Sequence, residues 1–540
     1  MSYLSLKNFN TIIMLQEILG IGLIFVLTVL LALPLGRYIA KVYLGQPTWL
    51  DFMSPLENFI YKVCRINPKK EMTWQEHLAA LLTINFIWFF WMMFVLMNQG
   101  WLPLNPDGNP SMTPDLAFNT TISFMVNCNL QHYSGETGVT YLSQLICLMF
   151  LQFVSAATGL AAAAILFNAL KERTTDKLGN FYNYFMKSLT RILLPLSIVV
   201  AIIFLFNGMP MTFEGKDTIT SMQGDTVQVS TGPVAAFVPI KHLGTNGGGF
   251  FGTNSAHPFE NPNYLTNIVQ QVAQLIIPLA MVFAIGFYLN KRKFSWMIFG
   301  VMTIGFLCLV IPNMIMEQHG NPAIAQMGVD MSSGAMEGKE VRFGTPASAY
   351  WSILTTVIST GSVNSFHDSF MPLSGMNQML AMMVNGFYGG VGVGMLNFFI
   401  FIIIAVFISG LMVGRTPEFF GKKVEAREVK IAVIVTLMSA ILIKGGTAVA
   451  AYLISADPSL PWLNNPGFHG FSEMLYEFTS ANANNGSGFE GLGDNNPFWN
   501  ISTGIVLILG RFIPIIGPIA IAGILAGKKY IPESAGTLKT

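Results

Sequence analysis

Leu243-Gly244-Thr245-Asn246-Gly247-Gly248-Gly249-Phe250-Phe251 lies between two long apolar runs, yet is itself too polar to cross a bilayer. Three other stretches share its character: FNTTISFMVNCNLQ at 118–131, TTVISTGSVN at 355–364 and FTSANANNGS at 478–487. With Asn127, Thr245, Thr360 and Asn484 as markers, the four recur at intervals of 118, 115 and 124 residues. A single Gly/Asn/Ser cluster reads as a surface turn. Four at near-equal spacing, each led by a helix-like segment, describe an internal fourfold repeat of span, short outer helix, polar loop and span.

Such a unit suits a cation. A short helix that enters from outside and stops partway aims its C-terminal end, carrying about half a negative charge, at the membrane centre. The loop then returns outward, and its carbonyl oxygens replace the hydration shell of a dehydrated ion. Gly247, Gly361 and Gly486 give such a loop access to positive φ. Glu136, Glu260, Asp368 and Glu490 follow the four loops. They are read either as attracting cations to the outer mouth or as capping local backbone.

The rest of the chain fits a membrane body. Of 540 residues, 52% are hydrophobic and 11% charged, against roughly a quarter charged in soluble domains. A net charge of +1 provides no field for nucleic acid. Cys64, Cys128, Cys147 and Cys308 show no disulfide or zinc spacing, and as three of them lie in or beside apolar runs, inert packing is the default reading. The histidines show no ligand spacing, and no paired acids or HExxH motif point to an intramembrane enzyme.

Nine segments are long enough to span, near 15–36, 78–98, 141–169, 188–207, 264–289, 294–316, 376–413, 429–455 and 499–526. The seventh carries Asn385-Gly386-Phe387-Tyr388-Gly389-Gly390-Val391-Gly392-Val393-Gly394, which predicts a break inside the membrane. Its glycine spacing echoes a nucleotide fingerprint, but no strand precedes it. Basic residues fall 22 on one side and 5 on the other, with Lys444 and Arg511 inside spans. That bias places the N-terminus outside and, with nine spans, the C-terminus in the cytoplasm. Basic residues follow the first span, so it is read as an uncleaved helix rather than a signal peptide.

The fold class is therefore all-α integral membrane, with four membrane–pore–membrane units and an extra N-terminal span. The expected divisions are 1–76 (first span and cytosolic loop), 77–170, 171–290, 291–414 and 415–540 (pore repeats one to four).

Several stretches closely resemble the potassium-transporting A subunits of the Kdp ATPase, a bacterial high-affinity potassium importer. They are SFMVNCNLQHYSGE from Ser123, GTNGGGFFGTNSAHPFENP from Gly244, MEGKEVRF from Met336, His367-Asp368-Ser369-Phe370, Gly414-Arg415-Thr416-Pro417-Glu418, and Asn484-Asn485-Gly486-Ser487. The resemblance implies a potassium-channel-like subunit recruited into a pump of the bacterial inner membrane. It implies a potassium filter of Asn127, Cys128 and Asn129; Thr245, Asn246 and Gly247; Ser359, Thr360 and Gly361; and Asn484, Asn485 and Gly486. Gln131 follows the first filter, as in the family motif. Cys128 stands where the family commonly has Thr, and Thr360 where it can carry Cys. Similar proteins continue past Gly536-Thr537-Leu538 into one more span, whereas this chain stops at Thr540.

No phosphate loop is present, and Thr175-Asp176-Lys177-Leu178-Gly179 only faintly echoes a pump phosphorylation motif. No buried carboxylates for proton or sodium coupling are evident in the spans. This chain is thus expected to be non-catalytic and to bind no cofactor, with K+ as its substrate. The resemblance assigns ATP and Mg2+ to a partner P-type ATPase subunit, accompanied by small accessory subunits and membrane lipid. Arg511 is expected to face the interior below the filter, fixing packing or repelling a second cation. Lys444 is expected to face the interior or snorkel, and Gly390 and Gly392 mark the expected gate. The competing reading is a stand-alone potassium uptake protein of the Trk/Ktr/HKT kind, which shares the fourfold architecture and uses no ATPase subunit.

Overall fold

The computed structural model describes residues 3–530, with side chains from residue 18 onward. Lys539 and the Gly536-Thr537-Leu538 stretch lie outside the described residues, as does the side chain of Lys7. Among the described residues, nine helices are long and apolar enough to cross a membrane. In chain order the body comprises α1 (Tyr3–Tyr43), α2 (Ser54–Val63), α3 (Trp74–Asn98), α4 (Pro114–Met125), α5 (Tyr141–Lys171), α6 (Phe181–Phe206), α7 (Val234–Leu243), α8 (Tyr264–Tyr288), α9 (Arg292–His319), α10 (Gly344–Val357), α11 (Pro372–Val384), α12 (Val393–Val413), α13 (Ala426–Ala456), α14 (Phe468–Ala483) and α15 (Pro497–Gly527). An exposed outer hairpin pairs β1 (Asp217–Thr220) with β2 (Thr226–Val229).

Each polar stretch ends a short helix that nests between two spans: α4 between α3 and α5, α7 between α6 and α8, α10 between α9 and α11, and α14 between α13 and α15. The second spans line the centre. Of their most apolar windows, 72% is buried in α5, 78% in α8 and 61% in α15, against 17% in α13 on the periphery. In the third unit the second span is split into α11 and α12, with residues 385–392 non-helical between them, as the glycine run predicts. The first span, α1, lies along α8. Gly36 lets the helices touch there, since a Cβ would fall 2.6 Å from the Ala280 carbonyl oxygen.

Four sequence expectations are corrected. The third marker is Ser359 rather than Thr360. Asn127, Thr245, Ser359 and Asn484 share left-handed φ values of 64°, 49°, 49° and 51°, so the spacings become 118, 114 and 125 residues. Lys444 is exposed on α13, so the interior half of its expectation is overturned and snorkelling is the half that remains.

Buried carboxylates do exist in this body. Glu317 in α9 is fully buried and pairs with Lys339 at 2.8 Å. Arg191, counted with a cytosolic loop, lies in α6, where Glu57 of α2 accepts from both its Nε and its Nη2 at 2.7 Å. In each case the charge has a fixed partner, as a buried ion requires.

Candidate functional site

The four short helices stop where the chain turns left-handed. The first residue of each candidate triplet (Asn127, Thr245, Ser359, Asn484) takes positive φ, and so does the third: Asn129 at 60°, Gly247 at 80°, Gly361 at 82° and Gly486 at 103°. Asn is the non-glycine residue that most readily adopts this conformation, so Asn129 substitutes where the other loops use Gly. Thr245 and Ser359 are held there against an intrinsic cost of about 1–2 kcal/mol.

The loops close into a ring. A Cβ added to Gly247 would overlap the carbonyl oxygen of Thr360, one on Gly361 that of Asn485, and one on Gly486 that of Cys128. The third residue of each of these loops therefore lies against the middle carbonyl of the next. First and second loops meet through Asn127, whose side-chain amide donates to the carbonyls of Gly244 and Thr245 at 3.1 Å each. The Asn246 amide meets the side chains of Asn127 and Ser155. Asn485 Nδ2 donates to the Thr355 carbonyl at the end of α10 at 2.8 Å, tying the fourth loop to the third helix. All twelve candidate residues thus come together at the convergence of the four helix ends.

Several polar atoms here have no partner among the described residues: both amide atoms of Asn129, the Thr360 hydroxyl, and the hydroxyls of Thr120, Thr121 and Ser123 in α4. Such buried groups need an ion or ordered water. Cys128 is fully buried and packs in the apolar core.

Gln131 clips two loops on the outer side, accepting from Gly249 N at 2.7 Å and donating to Gly249 O at 3.2 Å. A support that sequence reasoning missed lies behind the second loop. Lys241, counted as an outer-loop charge, is fully buried. Its Nζ donates to Glu260 Oε2 at 2.5 Å, Ser255 Oγ at 2.8 Å and Asn254 Oδ1 at 2.5 Å. Asn254 in turn donates to the Gly247 carbonyl at 2.7 Å. The available signal was a lysine six residues before Gly247, beside His242 at the end of an apolar helix.

The loops open outward into a vestibule of about 830 Å³ lined by Asn129, Gln131, Gly361, Gly486, Glu477, Glu490 and Asp494, among others. Three of the four acidic residues cap backbone. Glu136 accepts from Gly252 N, Glu260 from Phe251 N, and Glu490 from His367 N and Asp368 N. Glu490 also faces the vestibule, where enclosure pushes its carboxyl up to about 7. Asp368 instead bonds His469.

Beneath the ring is a void of about 10 Å³, bounded by Asn127, Ser359, Asn484, Asn385, Gly390 and Arg511, room for about one water-sized particle. Arg511 is buried in α15, with Nη2 3.4 Å from the Ser155 carbonyl oxygen. Among the described residues no carboxylate pairs with it. Residues 385–392 pass directly under the loops. Val391 N donates to Thr245 Oγ1 at 2.9 Å, and Ser359 Oγ to Asn385 Oδ1 at 3.0 Å. Gly390 has slack, the nearest atoms to a Cβ there being 3.6–3.7 Å away. Gly392, at φ 80°, presses its Cα against the Gly159 carbonyl of α5, so it is a packing contact as well as a flexible link.

Relatives of the chain point to one family. Residues 22–540 match the family described as Potassium-transporting ATPase A subunit. A Flavobacterium johnsoniae protein named Potassium-transporting ATPase potassium-binding subunit is 68% identical over 534 residues, covering 97% of this chain and 93% of its own. A Bacteroides fragilis protein of the same name is 60% identical over 529 residues, with the same coverage. The crystal structure of the potassium transporter TrkH from Vibrio parahaemolyticus superposes with a TM-score of 0.53 at 14% identity. It covers 92% of this chain and 97% of its own, a likeness of fold. The fourfold membrane–pore–membrane body, the convergent loops and the near-full-length identity lead to one assignment: the chain belongs to the potassium-transporting ATPase A subunit family.

Proposed function

We propose that this chain is the potassium-binding and translocating subunit of a high-affinity, ATP-driven import complex in the bacterial inner membrane, with its N-terminus outside and its C-terminus in the cytoplasm. The observation that carries the reading is the closed ring in which Gly247, Gly361 and Gly486 each meet the middle carbonyl of the neighbouring loop. Backbone that close can present a ring of carbonyl oxygens to one dehydrated monovalent cation. The C-terminal ends of α4, α7, α10 and α14 add negative potential at the same place.

Potassium enters through the vestibule and sheds water at the twelve loop residues, with Gln131 holding the outer edges of two loops in register. Beneath, the unpaired Arg511 opposes a second cation in the small void. The break at 385–392, with Gly390 as its loose link, gates passage from the void toward a separate P-type ATPase subunit. That partner binds ATP and Mg2+, small accessory subunits stand beside it, and this chain carries no cofactor of its own. The pore repeats are 77–170, 171–290, 291–414 and 415–540, following an N-terminal unit at 1–76.

The test is cation-stimulated ATP hydrolysis by the assembly that co-purifies with this chain in mild detergent. Stimulation by potassium but not sodium, lost in Gly247→Asp, supports the proposal. A chain that purifies alone, shows no ATPase and passes potassium down its gradient in liposomes is instead a stand-alone uptake protein of the Trk kind.

A further inference from the structure

On the outer rim, away from the ring, three metal-ligating side chains from two repeats converge. His469 and Glu473 lie one turn apart on α14, so both project from the same helix face. Asp368 reaches them from the turn His367–Ser369 of the third repeat. One ligand atom from each residue lies within 4.8 Å of the others. Asp368 Oδ1 is 2.7 Å from His469 Nε2. Asn465 Nδ2 bridges the two carboxylates, 3.1 Å from Glu473 Oε1 and 3.4 Å from Asp368 Oδ2.

Two independent observations point to a missing cation. The Glu473 side chain is fully buried, and its Oε2 has no hydrogen-bond partner among the described residues. An orphaned carboxylate oxygen is costly to bury. In addition, no Lys or Arg forms an ion pair with Asp368 or Glu473 among the described residues, where two carboxylates share one histidine. Room beside the pair comes from Gly491. A Cβ there would lie 2.6 Å from Asp368 Oδ2 and 2.7 Å from Glu473 Oε1. The His469 ring is oriented by stacking on Phe489, with an interplanar angle of 6°. Its side chain is 40% exposed, which leaves a path for entry and a position for water.

We infer that Asp368, His469 and Glu473 form a binding site for a first-row divalent cation of the zinc type, separate from the potassium path. The donor set decides the class. One imidazole nitrogen and two carboxylates suit zinc with a water in the fourth position, while calcium and magnesium prefer all-oxygen shells. Two carboxylates match a double charge. Bound metal rivets the outer turn of the third repeat to the re-entrant helix of the fourth.

The test uses the tag-free, full-length chain in its purified assembly, stripped with EDTA and titrated with ZnCl2 by calorimetry in excess MgCl2. The expected result is one zinc per chain more in the wild type than in His469→Ala, with affinity at that site at least about tenfold weaker in the variant. Gly491→Ala, which crowds both carboxylates, gives the same loss, and zinc raises the unfolding temperature of the wild type alone. His469 is partly exposed, so its variant avoids the folding risk of Glu473→Gln; His319→Ala serves as the control histidine. Equal zinc binding by wild type and His469→Ala, or displacement of the wild-type zinc by magnesium, overturns the inference.

Discussion

The backbone amide of Val391 donates to the hydroxyl of Thr245 at 2.9 Å. The break in the seventh span therefore hangs from the first residue of the second loop, and strain in one is felt by the other. Thr245→Val keeps the shape and leaves a buried N–H without its acceptor, at about 1–3 kcal/mol. The variant is expected to unfold at lower temperature and to slow potassium uptake more than it weakens potassium affinity. Uptake kinetics and thermal unfolding measured together check this.

Gly247→Asp places a side chain where the Thr360 carbonyl sits, on a backbone at φ 80°. Membrane yield is expected to drop, and in the fraction that assembles apparent potassium affinity falls by at least about tenfold, or about 1.4 kcal/mol, with discrimination against rubidium and ammonium blurred. Competition of these ions in potassium-stimulated ATP hydrolysis reads both effects. Wild-type affinity would place this glycine outside the ion path.

Gly390 and Gly392 part company under substitution. At Gly390 a Cβ makes only ordinary contacts, so Gly390→Ala should assemble, bind potassium and transport slowly. At Gly392 a side chain meets the backbone of Gly159 and Leu160, so Gly392→Leu is expected to fail to accumulate in the membrane. Membrane yield and uptake rate of the two single variants separate gating from packing.

His132 supplies a pH prediction. Burial disfavours its charged form, but Asp494 and Glu477 prevail and raise it to about 9; its Nε2 lies 3.2 Å from Glu477 Oε1. Asp494, pushed up to about 6 by burial, is ionised above that pH. A raised folded value means the stabilisation is full near the unfolded value of about 6.5, where Asp494 is already ionised, and disappears as pH climbs through about 9. Its size is on the order of 3 kcal/mol. The thermal midpoint of wild type should drop between pH 6.5 and 9, and His132→Gln should lack that component.

Loops and spans were legible in the sequence because their signals are local. A run of apolar residues, or a Gly/Asn cluster after a helix-like segment, needs no distant partner to be recognised. Ser359 and Thr360 show where that ends. Both residues suit the third loop, and only the neighbouring loops decide which of them turns left-handed. Charge pairing was illegible for the same reason. Lys241 and Glu260 are 19 residues apart, and Lys339 meets Glu317 across a loop; a sequence shows the charges but not the contact that makes burial tolerable. Lys444 looked equally costly, and it lies exposed on α13, where only its long stem, reaching toward an interface, can relieve the charge.

At the third position of the triplets, the first loop bears Asn129 where the other three bear glycine. A pore assembled from four copies of one chain repeats every substitution four times. Here all quadrants are encoded once, in series, so a single codon alters one wall and spares the other three. If the ring is the ion path proposed above, each of its walls can be altered alone, and Asn129 already makes one wall unlike the three that bear glycine.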